Sequence, residues 1–119
     1  MFDGPEPIYV QIAEHLRRQV LDGTLAPGDQ VMSTTQFATT YRINPATTAK
    51  AFNLLVDEGV LYKQRGLGMY VAEGARERLR ERRQADFFTD RLDTVLDEAR
   101  TLGIGEDELI SYIRKGAGR

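Results

Sequence analysis

Apolar residues recur at helical spacing near the start of the chain. Ile8, Ile12, Leu16 and Val20 follow one another at intervals of four within IYVQIAEHLRRQVLDG, a pattern typical of a helix that packs one face on a core. Gly23 is expected to end this helix, and the TLAPGD segment that follows predicts a turn at its Pro-Gly pair. The only histidine of the sequence lies within this pattern and is expected to be a structural residue.

Two further helices are predicted by their capping residues. Ser33, followed three residues later by Gln36, forms a capping-box pattern and predicts a short helix that ends near residue 40. After the connecting YRI, Asn44 and Pro45 are typical of the N-cap and first position of a third helix, in INPATTAKAFNLLVDEG. A three-residue connection between two such helices predicts a helix-turn-helix.

The third helix, which Gly59 is expected to end, is apolar on one side only. Thr48, Ala51, Phe52 and Leu55 recur at the spacing of a core-facing stripe. A face that lies in a DNA groove must be slim, must avoid carboxylates near phosphates, and must offer hydrogen-bonding groups to base edges. The opposite face of the third helix has this slim and neutral character, which favours DNA binding, and a plain amphipathic helix is the alternative interpretation. The face consists of Ala46, Thr47, Ala49, Lys50 and Asn53.

A basic hairpin is predicted directly after the third helix. VLYKQ and MYVAE are typical of two strands, and RGLG between them predicts a tight turn. Glycines on both sides of Leu67 permit sharp bending, while Lys63 and Arg65 place positive charge near the tip. A hairpin of this kind after a helix-turn-helix favours contact with a neighbouring DNA groove, and a plain hairpin turn is the alternative.

The segment after Gly74 has a different character. It predicts one helix over residues 75–102, a break at GIG, and a last short helix with an acidic first turn. Because roughly 45 residues cannot bury a core alone, the heptad-spaced apolar side is expected to pack on a second copy of the chain. Packing back on the preceding domain is the alternative. The predicted dimer interface consists of Phe88, Leu92, Val95, Ala99, Leu102, Leu109, Tyr112 and Ile113.

Composition limits the classes of function. The chain has 119 residues, a formal net charge of −2 and no cysteine, which excludes disulfides and thiolate metal sites. A DNA-binding surface must therefore be a local patch, because neither half of the sequence is basic overall. No apolar run is long enough to span a bilayer and no secretory signal is present, so a cytoplasmic protein is expected. No nucleophile–base pair, carboxylate pair or phosphate loop is recognisable, so neither an enzyme nor a cofactor is expected.

The motifs in combination resemble the winged-helix domain of the GntR family of bacterial transcription regulators. They are Pro-x-Tyr-x-Gln-Ile at the start, Gly-x-Leu-x-Pro-Gly-Asp, and Asp-Glu-Gly before an Arg-Gly-x-Gly hairpin, and the similarity runs from about Pro7 to Val71. NPATT, GMYV and the short helical tail are most similar to the YtrA-type subfamily, whose members also lack a large effector domain. Two family arginines are absent, because Thr35 and Pro45 stand at their places, whereas the family threonine is kept as Thr47.

The resemblance implies an α+β fold with a winged-helix DNA-binding domain over residues 7–72 and a two-helix dimerisation segment over residues 73–116. It also implies a homodimer that binds a pseudo-palindromic operator in double-stranded DNA, usually as a repressor, often at its own operon beside transporter genes. A winged-helix module that binds protein and not DNA is the alternative function. The candidate DNA contacts are Thr47, Lys50 and Asn53 for base edges, Asn44, Ser33, Thr34 and Thr35 for phosphates, and Arg65 with Gly66 at the wing.

An unknown small-molecule effector is a further partner to consider. Phe87, Phe88, Leu92 and Tyr112 could line a pocket at the dimer interface. Aromatic residues at such positions are more often part of an ordinary core, which is the alternative.

Overall fold

The computed structural model describes residues 2–116 of the chain. These residues divide into two compact units, the first ending at Glu81 and the second beginning at Arg82. In chain order the elements are α1 (Ile8–Leu21), β1 (Gln30–Val31), α2 (Thr34–Tyr41), α3 (Pro45–Asp57), β2 (Leu61–Gln64), β3 (Gly68–Val71), α4 (Ala75–Asp86), a π-helical segment (Phe87–Leu92), α5 (Asp93–Thr101) and α6 (Glu106–Arg114). The sheet in the first unit is antiparallel, with strand order β1-β3-β2.

The first unit has the predicted order of three helices and a hairpin, which confirms the winged-helix architecture. Its core is formed by the apolar stripes of α1 and α3 together with the inward residues of the sheet. Phe52 of α3 is fully buried, and its ring meets that of Phe37 in α2 edge-on, with centroids 5.6 Å apart. Packing of this kind fixes the crossing of α2 and α3, because the two rings fill the space between the helices.

Strand β1 was absent from the prediction, which placed only the TLAPGD turn between the first two helices. Gln30 pairs with Tyr70 and Val31 with Met69, so the hairpin becomes a three-stranded sheet. A two-residue strand has too few positions to show an alternating pattern, and it exists here because β3 offers it a free edge. The sequence around it therefore gives a turn signal and no strand signal.

The chain is helical from Ala75 to Thr101, as the prediction of one helix over residues 75–102 expected, but its hydrogen bonding is not α-helical throughout. The helical chain contains the π-helical segment between α4 and α5. Two aromatic residues and Thr89 begin this segment, and such residues are weak helix formers. The hydroxyl groups of Thr89 and Thr94 also bond to carbonyls one turn earlier, at 3.4 Å to Ala85 O and 3.2 Å to Asp90 O, which locally competes with regular α-helical bonding.

In the first unit, α4 begins against the same core as the hairpin. Ala75 and Leu79 are buried there, and the Arg78 guanidinium donates a 2.7 Å hydrogen bond to the carbonyl of Gly59. Gly59 has a positive φ of 77° and follows the last residues of α3, as the C-terminal signal in the sequence predicted. The end of α3 is thus tied to α4 by a charged donor. The domain boundary after residue 72 stays a prediction.

The second unit consists of the end of the α4 region, α5 and α6. Helix α5 ends in a glycine motif in which the Ile104 amide donates to Ala99 O at 2.9 Å, and Gly103 has a φ of 75°. Helix α6 begins at Glu106, as predicted, with its three acidic residues in the first turn. Of the predicted interface residues, Ala99 is buried within its own chain, Leu92 and Leu109 are half-buried, and the others are exposed.

Candidate nucleic-acid interface

Local hydrogen bonds fix the start of α3. The Asn44 side-chain oxygen accepts from the Ala46 amide at 2.7 Å, and Pro45 occupies the first helical turn. The Thr48 hydroxyl, which is fully buried, donates to the Asn44 carbonyl at 3.3 Å. Thr48 therefore belongs to the core with its hydroxyl satisfied, and the helix can turn its other side outward.

The outward face of α3 has the composition that the sequence predicted. Ala46, Lys50 and Asn53 are exposed, Thr47 is half-buried, and the first turn contains no acidic residue. Small side chains at the helix start leave room for a close approach, while the ammonium and amide groups further along can form hydrogen bonds. The first carboxylate of the helix is Asp57, at its last residue.

Tyr9 of α1 is part of this face and was not among the predicted contacts. The Lys50 Nζ atom lies 4.1 Å from the centroid of the Tyr9 ring, within the range of a cation–π interaction. The two residues line a shallow groove of about 550 Å³ together with Asn53 and Asp57. Tyr9 appeared in the sequence only as part of the Pro-x-Tyr-x-Gln-Ile motif, and nothing local indicated that Lys50 would pack on it.

The start of α2 carries the predicted capping box. The Ser33 hydroxyl accepts from the Gln36 amide at 3.0 Å, and the Gln36 side-chain oxygen accepts from the Ser33 amide at 3.1 Å. Thr35 is exposed, and Thr34 beside it is half-buried. The Ser33 hydroxyl oxygen therefore caps α2, and its hydroxyl group can still donate a hydrogen bond to a phosphate.

The tip of the hairpin is a tight turn. The Leu67 amide donates to Gln64 O at 2.9 Å, and Gly66 has a φ of 78° with open space around the position of a side chain. A positive φ at the third residue is what a type II turn requires. Arg65 is exposed beside Gly66, as a contact to an external phosphate requires. On the sheet below, the rings of Tyr62 and Tyr70 stack with centroids 5.7 Å apart.

A charged pair joins the far end of α3 to α1. Arg17 Nε donates to Glu58 Oε1 at 2.9 Å and its Nη2 donates to Oε2 at 2.5 Å, with both side chains largely buried. The hydrogen bond to Glu58 raises the pKa of Arg17, and desolvation by burial opposes this increase. Bidentate pairing of this kind sets the orientation of α3 relative to α1.

Three elements of the first unit thus carry the nine predicted DNA contacts. Lys50 and Asn53 line one groove, whereas the other predicted residues lie at the starts of α2 and α3 and at the hairpin tip. Among residues 2–116, no group of acidic and histidine side chains is arranged to hold a metal ion. None of the helices in this described range is both long enough and apolar enough to cross a membrane.

The chain is similar to known proteins both within its first unit and over most of its length. The sequence profile of bacterial regulatory proteins, gntR family, matches residues 8–71. The HTH-type transcriptional repressor YtrA of Bacillus subtilis (strain 168) is 31% identical over 109 residues, which cover 92% of this chain and 83% of that protein. This second similarity therefore extends beyond the residues that the family profile matches.

Two solved structures show the same similarity in three dimensions. A GntR family transcriptional regulator from Listeria monocytogenes superposes with a TM-score of 0.68 at 29% identity, over 96% of this chain and 98% of that one. The structure of AraR(DBD) in complex with operator ORX1 superposes with a TM-score of 0.56 at 27% identity, over 60% of this chain and 93% of that one. The shared part of AraR is a domain solved on DNA.

Proposed function

We propose a molecular function from one established premise: the chain belongs to the gntR family of bacterial regulatory proteins. The family resemblance inferred from the motifs is thereby confirmed, including its similarity to YtrA. Relatives named in the comparisons are transcriptional repressors, so the chain is a transcription regulator and not an enzyme.

The function that the geometry supports best is sequence-specific binding of double-stranded DNA, with α3 in the major groove. The observation that carries this proposal is the outward face of α3, which is slim at its start, free of carboxylates until Asp57, and furnished with Lys50 and Asn53. Groups of these kinds can bond to the edges of guanine and adenine. AraR(DBD), which has the same fold, was solved in complex with an operator.

Each predicted contact has a distinct role in this proposal. Thr47, Lys50 and Asn53 read base edges, and Arg65 with Gly66 reaches the backbone from the hairpin tip. The residues at the helix starts, Ser33, Thr34, Thr35 and Asn44, position phosphates. Because Thr35 and Pro45 replace two family arginines, we expect an operator sequence that differs from those of relatives that keep them.

A homodimer is the expected form of the regulator. Val95, Leu102, Tyr112 and Ile113 are each more than half exposed in the single chain, an unfavourable arrangement that a second copy would correct. Ile113→Asp should dissociate the dimer in sedimentation equilibrium. Ser111→Asp is the matched control, because Ser111 is exposed two residues earlier and so points to another side of α6. Equal association of wild type and Ile113→Asp would exclude this interface.

Selection from a random DNA pool tests the proposed function. Fragments bound at near-physiological salt are sequenced, and we expect a two-fold symmetric motif with half-sites about 34 Å apart, one helical turn of DNA. Lack of enrichment by a folded protein, with and without cell extract as a source of small molecules, would remove the proposal. The alternative module that binds protein only would then be favoured.

The finer biological role follows from the same proposal. A dimer on an operator would repress by covering the promoter, and we expect the operator to lie at the protein's own operon or a neighbouring transporter operon. A regulator of chromosomal genes acts where the DNA is, which in bacteria is the cytoplasm. An effector would be detected as a small molecule that shifts DNA affinity or melting temperature.

A further inference from the structure

The carbonyl of Leu67 at the hairpin tip receives two side-chain hydrogen bonds from the sheet. The Gln30 amide nitrogen donates to it at 2.9 Å, and the Tyr70 hydroxyl donates to it at 3.3 Å. A carbonyl oxygen has two lone pairs, so these two donors satisfy it completely. Loop carbonyls at an exposed tip ordinarily bond to water, and this one is fixed to the protein.

Gln30 approaches the turn more closely than ordinary packing requires. Its Nε2 atom lies 2.9 Å from the position that a Cβ atom on Gly68 would occupy, and Gly68 has a φ of 120°. Any larger residue at position 68 would have to displace the Gln30 amide as well as adopt a strained backbone. The glycine therefore leaves room for the Gln30 amide beside the Leu67 carbonyl.

Both donor residues lie in paired strands, so their backbone positions are fixed by the hydrogen bonding of the sheet. Gln30 and Tyr70 are register partners in the β1–β3 pair, and Tyr70 also pairs with Tyr62 in β2. From these positions both side chains donate to the carbonyl of Leu67, which is adjacent to Gly66 and two residues from Arg65. The turn that contains Arg65 and Gly66 is closed by the hydrogen bond from the Leu67 amide to the Gln64 carbonyl.

We propose that Gln30 is a positioning residue for DNA binding: its side-chain amide holds the Leu67 carbonyl and so presents Arg65 and Gly66 in one conformation. This inference rests on the proposed function, because it concerns the wing contact with the DNA backbone. An ordered loop loses less conformational entropy when it binds than a mobile loop does. Strand β1, which gave no sequence signal, thereby acquires a role in recognition.

The free protein tests the structural half of this proposal. Gln30→Met keeps the length of the side chain and removes its donors, and Gln64→Met is the matched control at the neighbouring exposed strand end. Backbone order parameters of Gly66, Leu67 and Gly68 should fall from about 0.85 to below about 0.6 in Gln30→Met only. Tyr70→Phe, which removes the second donor, should lower them less. Unchanged order parameters in Gln30→Met would overturn the proposal.

A double-mutant cycle on a selected operator tests the functional half. Gln30→Met should weaken binding roughly threefold to tenfold per protomer in the wild-type background, as expected for the loss of one hydrogen bond in each. It should have less than about a twofold effect when Arg65 is already alanine, because the two residues then act through one contact. Equal losses in both backgrounds would show that Gln30 acts elsewhere and would overturn the proposal.

The failure of this inference can be distinguished from the failure of the proposed function. Arg65→Ala alone should reduce the slope of log affinity against log salt by about 0.9 per protomer, because each protomer loses one phosphate contact. If Arg65→Ala changes neither slope nor affinity while wild type still binds its operator, the wing contact is wrong and Gln30 has no positioning role. If wild type binds no DNA at all, the proposed function fails, and the order parameters still report whether Gln30 holds the loop.

Discussion

Replacing Lys50 by methionine is expected to weaken DNA binding much more than it weakens folding. Methionine keeps most of the aliphatic length and has a similar helix propensity, so the change mainly removes the charge. Lys50 is exposed, and its Nζ atom lies 4.1 Å from the centroid of the Tyr9 ring. This contact restricts the conformations of Lys50 in the free protein, which lowers the entropy it must lose on DNA.

The two magnitudes follow from these contacts. Loss of a cation–π interaction at an exposed site lowers the free energy of unfolding by about 0.5–1 kcal/mol. Loss of a base contact costs about 1–3 kcal/mol per protomer, which corresponds to roughly 5-fold to 150-fold weaker binding. The effect on DNA affinity should thus exceed the effect on stability, and a dimer would lose the contact twice.

Fluorescence anisotropy with a labelled operator measures the effect on DNA affinity, and urea denaturation measures the effect on stability. Lys115→Met is the matched control, because Lys115 is an exposed lysine near the end of α6 and outside the proposed DNA interface. We expect it to bind like wild type. Wild-type affinity in a folded Lys50→Met variant would refute the assignment of Lys50 to the DNA-reading face.

Three further predictions concern the packing and the charged groups of the first unit. Phe52→Ala, at a fully buried ring, should lower the free energy of unfolding by about 3–5 kcal/mol in urea denaturation, and a loss below about 1 kcal/mol would contradict the assigned core. Glu58→Gln should cost about 1–2 kcal/mol in the same assay, because Arg17 loses a charge-assisted partner but keeps a hydrogen-bonding oxygen. Burial and the nearby Arg18 lower the pKa of His15 below 6.5, so stability should fall as the pH drops below about 6.5, in the window down to the folded-state pKa. The His15→Gln variant should lack this component, and an identical pH profile in both proteins would contradict it.

Much of the first unit could be predicted because its signals are local. The capping residues Ser33 and Asn44 make the expected bonds, and the core stripe of α3 is buried as its periodicity indicated. Each signal needs only residues within one or two turns of each other. The same locality explains why the order of the three helices and the hairpin could be predicted without any contact between elements.

The features that could not be predicted depend on residues distant in the chain. The β1 strand exists through its pairing with β3, and the Lys50–Tyr9 contact joins residues of α3 and α1. The hydrogen bond from Gln30 to Leu67 spans 37 positions. The π-helical segment was missed for another reason, since heptad spacing describes where apolar residues fall and does not detect a local change of helical hydrogen bonding.

The most direct test of the central claim is to repeat the DNA selection with Asn53→Ala. Asn53 is exposed on the outward face of α3, so its removal should leave the fold intact. If α3 reads the major groove, the motif should keep its symmetry and spacing but lose preference at one or two positions of each half-site. A motif identical to that of wild type at every position, from a variant of equal affinity, would contradict base reading by this residue and by the α3 face as assigned.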